Sequence, residues 1–204
     1  MFGISDYGAF VAAIIIFLAI PGPGNLALMT STAKGGTRGG LAATFGVIAG
    51  DQVLMWAAVA GVAALLLAWP AVFEAVRWVG AAYLAWLGLR MIRARPGDAP
   101  VINIRPGHYF RQAAVITLMN PKAIVFYMAF FPLFVDPARH QGLWTFGAMA
   151  VTIATLTLAY GAIVVTLTQT LATRLRASPM VRSILEKAAG VCLIAFGIKL
   201  AVGR

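Results

Sequence analysis

The sequence predicts an all-α integral membrane protein of six transmembrane helices, built as two inverted-topology three-helix repeats in which helices 1 and 4 are broken. Three observations carry this. First, 61% of the 204 residues are hydrophobic and only 11% are charged, against about a quarter charged in a soluble domain. Second, the charges are clustered: residues 7–33, 52–73 and 141–173 carry none, and a helix needs roughly 20 apolar residues to cross the hydrocarbon core. Third, helix-breaking residues recur at corresponding places, with Pro21 and Pro23 inside the first apolar run and Pro121 inside the fourth.

The first span is predicted over residues 7–29. No basic residue precedes it, and it leads into Pro21-Gly22-Pro23-Gly24 rather than a small-residue cleavage site. It is therefore expected to stay as a membrane helix and not to be removed as a signal peptide. A short loop with Lys34, Gly35, Gly36, Arg38, Gly39 and Gly40 follows. The second span covers residues 41–67 and ends at Trp69-Pro70; the third covers 72–92. The longest loop, rich in Arg and Pro, leads to a fourth span over 111–135, and Asp136-Pro137 opens the next turn. The fifth span covers 143–171 and the sixth 183–202. In the third and sixth, Arg77, Arg90, Lys187 and Lys199 must snorkel toward the interfaces. The whole of 1–204 reads as one transmembrane domain, with repeat halves at about residues 5–92 and 111–203 and a basic loop at about 93–110.

The net charge of +10 would suggest an acidic partner in a soluble protein. Here the positive-inside rule explains it without nucleic acid. Eleven basic residues (Lys34, Arg38, Arg90, Arg93, Arg95, Arg105, Arg111, Arg174, Arg176, Arg182 and Lys187) fall by the loops after spans one, three and five. Four (Arg77, Arg139, Lys199 and Arg204) fall on the other side. The rich side is expected to be cytoplasmic, with both termini outside the membrane of the cell. A weak repeat accompanies this arrangement. Residues 77–90 align with 186–199, matching Leu84 to Leu193, Gly88 to Gly197 and Arg90 to Lys199. Three spans per half make the halves inverted, the mark of a transporter whose site lies near the midplane at broken helices.

The break at Pro21-Gly22-Pro23-Gly24-Asn25 combines residues that remove a backbone donor and loosen the helix. At membrane depth, freed backbone must line a cavity or be buried in protein. The helix restarting near Asn25 would present N–H groups and a positive end to an anion such as a carboxylate; a plain loop at a helix end is the alternative. Asn120-Pro121-Lys122 sits between apolar stretches, and a lysine at such depth ordinarily faces a partner or a wet cavity. Asp51 lies about eleven residues into the second span and Lys122 about eleven into the fourth. With spans two and four taken to run in opposite directions, the two charges share a depth near the midplane. An ion pair between them would offset burial and could be opened by a proton or a zwitterion; a purely structural pair is the other reading. Gly46 and Gly50 form a small-residue face for helix packing. Tyr83, Trp86 and Tyr127 could wall the cavity, although packing is the commoner use. Cys192, the one cysteine, reads as a small apolar residue, and His108 and His140 fall in loops.

These residues together resemble the lysine exporter (LysE/RhtB) family of bacterial amino-acid exporters, over essentially the whole chain. The resemblance rests on Pro21 to Asn25, Lys34-Gly35-Gly36 with Arg38-Gly39, the Gly46 to Asp51 stretch, the Gly80 to Gly88 stretch and Asn120-Pro121-Lys122. The Pro-Gly-Pro-Gly form looks most like the homoserine/threonine and leucine exporter branch. The resemblance implies a secondary active transporter of the bacterial inner membrane that exports small neutral amino acids, coupled to the proton motive force. It takes no cofactor, and a homodimer is one assembly left open. Substrate contacts are expected at Pro21, Gly22, Pro23, Gly24, Asn25, Asn120, Pro121 and Lys122, and proton coupling at Asp51 and Lys122. A divalent-cation exporter of the same superfamily is the alternative, although Asp51 beside Lys122 makes a poor cation site. An intramembrane enzyme would need several convergent acids or histidines, and the chain offers one deep acid.

Overall fold

The computed structural model describes residues 3–4, 6–20, 22–68, 103–130, 134–135 and 141–171, with scattered helical positions between 78 and 93 and between 187 and 198. Most of predicted spans three and six and of the aligned segments 77–90 and 186–199, with Tyr83 and Cys192, lies outside the described residues. The described chain is helical, with only an isolated bridge between Ile4 and Val135.

Helix α1 covers Tyr7–Ala19. Asp6 caps its start, accepting from the Ala9 N–H at 2.9 Å, as a short acidic side chain does for the free donors of a first turn. Thirteen residues span about 20 Å, short of the roughly 30 Å of a hydrocarbon core. The stop is a proline effect: Ile20, which precedes Pro21, is extended (φ −65°, ψ 118°), because the ring of a following proline excludes the α conformation.

Helix α2, Pro23–Ala68, restarts the chain with proline at its first position and carries one non-helical residue, Gly36 (φ 60°, ψ −155°). That left-handed conformation suits glycine and folds α2 into two limbs lying side by side. A Cβ placed on Gly39 would meet the Ser31 carbonyl at 2.5 Å, and one on Gly40 would meet Thr32 Oγ1. The loop expected at 34–40 is thus corrected to a turn at one residue, because glycines at 35, 36, 39 and 40 let helix touch helix at once.

Helix α3, Tyr109–Leu118, packs on the second limb. A Cβ on Gly46 would strike the Phe110 carbonyl, and one on Gly50 would stand 2.7 Å from Thr117 Cβ, the close approach that the small-residue face predicts. The order of contacts (Gly39 with Tyr109, Gly46 with Phe110 and Ala113, Gly50 with Ala114 and Thr117) makes α3 parallel to the second limb. The expected opposite direction of spans two and four is therefore corrected: two even-numbered spans leave from the same side. Counting eleven residues from each start still gives one depth.

Asn120 is extended like Ile20 (φ −78°, ψ 110°) and also precedes a proline. Its side chain caps α4, Pro121–Val125, accepting from the Lys122 N–H at 3.1 Å. A π-helical turn, Phe126–Phe130, follows. Helix α5, Leu143–Leu171, packs on the second limb where Gly161 meets Thr44.

The bundle has two distinct ends. Lys34 Nζ bonds to Asn103 Oδ1 (3.1 Å) and the Ile104 carbonyl (2.9 Å), while Tyr109 and Gln169 lie against the glycine turn. The Lys34 turn, the segment at Asn103 and Ile104, and the last turn of α5 thus share one end, the basic end. At the far end Phe10 meets Phe134 edge-on at 5.3 Å and Tyr7 bonds to Thr152 at 3.1 Å. α1 and the first limb of α2 run from the far end to the basic end; α3 and α4 run back. The sides of α2 and α5 carry exposed Phe45, Val53, Trp56, Val151, Ile163 and Leu167. Exposed apolar side chains of that kind suit contact with lipid.

Candidate functional site

The two helix breaks meet. Between them lies a cavity of about 30 Å³ lined by the last turn of α1 (Phe17, Leu18), the first turn of α2 (Gly22, Gly24, Asn25), Val47 and Asp51 of the second limb, Thr117 of α3, and Asn120, Lys122 and Ala123 around the second break. That volume holds about two waters.

Lys122 ties the breaks together. Its ammonium donates to the carbonyls of Phe17 (3.0 Å) and Ile20 (2.8 Å) and lies 4.5 Å from the centre of the Phe17 ring. The last carbonyls of a helix lack intrahelical partners and form its negative end, so a cation suits them. Asn25 completes the clamp, donating from Nδ2 to the carbonyls of Leu18 (2.9 Å) and Ile20 (3.1 Å). Tyr160 of α5 faces the same Asn25 side chain. The Asn25 amide is therefore engaged with backbone in this conformation.

Asp51 is 1% exposed. Its carboxylate accepts a hydrogen bond from the buried Tyr127 hydroxyl. Thr157 of α5 faces the same carboxylate without a bond of ordinary geometry, and Asp51 Oδ2 has no partner. Lys122 is near enough to attract it electrostatically, yet the ammonium's hydrogen bonds go to the α1 carbonyls. The cavity therefore has an acidic wall and a basic wall. Phe17 of the wall stacks on Phe126 at 4.1 Å, and Tyr127 meets Phe126 edge-on at 5.4 Å. The π-helical turn puts both Phe126 and Tyr127 inside; such turns are frequent at functional sites.

Of the residues singled out in the sequence, Gly22, Gly24, Asn25, Asp51, Asn120 and Lys122 come together in the cavity wall. Pro23 starts α2 beside it. Pro121 is exposed and shapes the break from behind, and Pro21 lies outside the described residues. Sequence reasoning missed Phe17, Leu18, Val47, Thr117 and Ala123, and gave Tyr127 little weight. For Thr117 a signal existed: a hydroxyl one turn before Asn120, at the depth already inferred for Asp51.

Known proteins bear on this geometry. The chain is 36% identical over 164 residues to a leucine efflux protein of Salmonella typhimurium, covering 78% of this chain and 77% of that one. It is 37% identical over 164 residues, with the same coverage, to a leucine efflux protein of an Enterobacter species. It is also 32% identical over 209 residues to an uncharacterized membrane protein of Pseudomonas aeruginosa, covering 98% and 96%. No solved structure matches the chain. Residues 15–204 match the LysE type translocators, and the chain belongs to that family.

Proposed function

We propose that the chain is a secondary transporter of the cytoplasmic membrane that exports small neutral amino acids, with leucine the first to test. The observation that carries this is the cavity between two broken helices, with a carboxylate on one wall and an ammonium on another. A zwitterion has the complementary pair of charges. Phe17, Leu18, Val47 and Ala123 give the wall an apolar part, which suits an aliphatic side chain, and the Salmonella and Enterobacter relatives are leucine efflux proteins by name.

The arrangement extends to six spans in one transmembrane domain, the halves at about residues 5–92 and 111–203 related by inversion. The antiparallel course of the two broken segments supports that reading. The basic end faces the cytoplasm. The substrate carboxylate binds Lys122 and the first turn of α2, drawing the ammonium from the carbonyls of Phe17 and Ile20 and loosening the clamp between the breaks. Widening follows from that release, since the cavity of about 30 Å³ has room for water only. Asp51 carries the coupled proton.

The test is expression in cells challenged with toxic analogues of leucine, threonine and homoserine. Export predicts resistance and a lower cytoplasmic pool of at least one of these amino acids, with no protection by Lys122→Met. Unchanged resistance to every analogue, with unchanged pools, rejects the reading.

A further inference from the structure

Two polar atoms in residues of the cavity wall have no partner: Asp51 Oδ2 and Thr117 Oγ1. Both residues are buried. A helical threonine commonly bonds back to the carbonyl four residues earlier. Thr32, Thr44, Thr152, Thr166 and Thr170 all do so here, at distances between 2.8 and 3.0 Å. Thr117 does not, and a buried polar atom left unpaired is costly. The position of Thr117 is fixed by packing: its Cβ lies 2.7 Å from where a Cβ on Gly50 would stand, directly against the residue before Asp51. Tyr127 already holds the Asp51 carboxylate by a hydrogen bond, which orients it and leaves Oδ2 over. Thr157 faces that carboxylate from α5 but is not part of the cavity wall. Two residues of the wall therefore carry, at one depth, a carboxylate oxygen and a hydroxyl that are buried, unpaired and able to accept. Lys122, the cation of the wall among the described residues, is bonded to the carbonyls of Phe17 and Ile20.

We propose that Asp51 and Thr117 together form the subsite for the α-ammonium group of the substrate. The assignment rests on the amino-acid export reading above. An ammonium has three donors and a positive charge, so it satisfies both acceptors at once and neutralises the acid. It also orients the substrate, ammonium toward α3 and the second limb, carboxylate toward Lys122.

The test uses the full chain in proteoliposomes, with labelled leucine counterflow and two competitors. Isoamylamine keeps the ammonium of leucine and lacks its carboxylate; 4-methylpentanoate keeps the carboxylate and lacks the ammonium. Thr117→Val removes the hydroxyl at nearly constant volume. The concentration of isoamylamine that halves counterflow should rise about tenfold or more, the scale of a lost hydrogen bond to a charged group. That of 4-methylpentanoate should change less than about twofold, and Thr117→Ser should restore inhibition by isoamylamine. Comparing two competitors in one variant separates a lost contact from a damaged fold. If Thr117→Val gives no counterflow, displacement of labelled leucine bound to the purified variant reads the same two ratios. Equal shifts for both competitors, or none for isoamylamine, overturn the subsite while export stands. Wild-type protein that neither transports nor binds leucine, threonine or homoserine overturns the export reading and the subsite with it.

Discussion

Replacing Lys122 by methionine should leave the protein folded and stop transport, and the structure lets the two effects be weighed apart. The ammonium serves the Phe17 and Ile20 carbonyls. Ile20 keeps a donor from Asn25, so only the Phe17 carbonyl loses its side-chain partner outright; its helical successor four residues on, Pro21, has no N–H to give. One orphaned carbonyl costs about 1–3 kcal/mol, and the contact with the Phe17 ring adds about 0.5–2 kcal/mol. Against this, a lysine at such depth costs about 2.5–3.5 kcal/mol to insert, and methionine removes that cost. The terms nearly cancel, so stability should stay within about 2 kcal/mol of the native protein. Asn25→Ala has no such relief: it orphans the Leu18 carbonyl and should cost about 1–3 kcal/mol. Thermal unfolding in detergent, read beside leucine uptake into vesicles, checks both. The reasoning is refuted if Lys122→Met transports at the native rate, or if it is clearly less stable than Asn25→Ala.

Three further outcomes follow from the packing. A Cβ on Gly24 would meet nothing within 4 Å yet would project from the cavity wall, so Gly24→Ala should keep or raise thermal stability while reducing uptake. Gly46→Ala would instead push into the Phe110 carbonyl and should cost about 1–3 kcal/mol by overpacking, seen as a lower unfolding temperature. For sidedness, in a Cys192→Ser background, a cysteine at Gln141 should react with an impermeant thiol reagent in intact cells and one at Arg105 should not; the reverse pattern inverts the topology.

Both breaks were legible in the sequence for one local reason. Ile20 and Asn120 each precede a proline, and that steric rule acts whatever the tertiary setting. The Gly46 and Gly50 face was legible too, since spacing alone puts both on one side of a helix. What the chain did not disclose depends on neighbours distant in sequence. Composition marks Lys122 and Asp51 as deep, but which carbonyls the ammonium reaches is decided by where α1 ends in space. The same holds for Asn25, whose amide turns to Leu18 and Ile20, and for Tyr127, brought to Asp51 by a π-helical turn with no motif of its own. The glycine-rich segment at 34–40 reads as a loop because glycine is common in loops; its use here is to let two limbs touch.

The most direct test of the account is labelled leucine uptake into everted membrane vesicles with an acidic lumen, comparing the native chain with Asp51→Asn. Export coupled to protons through the cavity predicts accumulation by the native protein, its collapse on adding a protonophore, and none with Asp51→Asn at equal expression. Accumulation by Asp51→Asn equal to native, or native accumulation indifferent to the gradient, would contradict it.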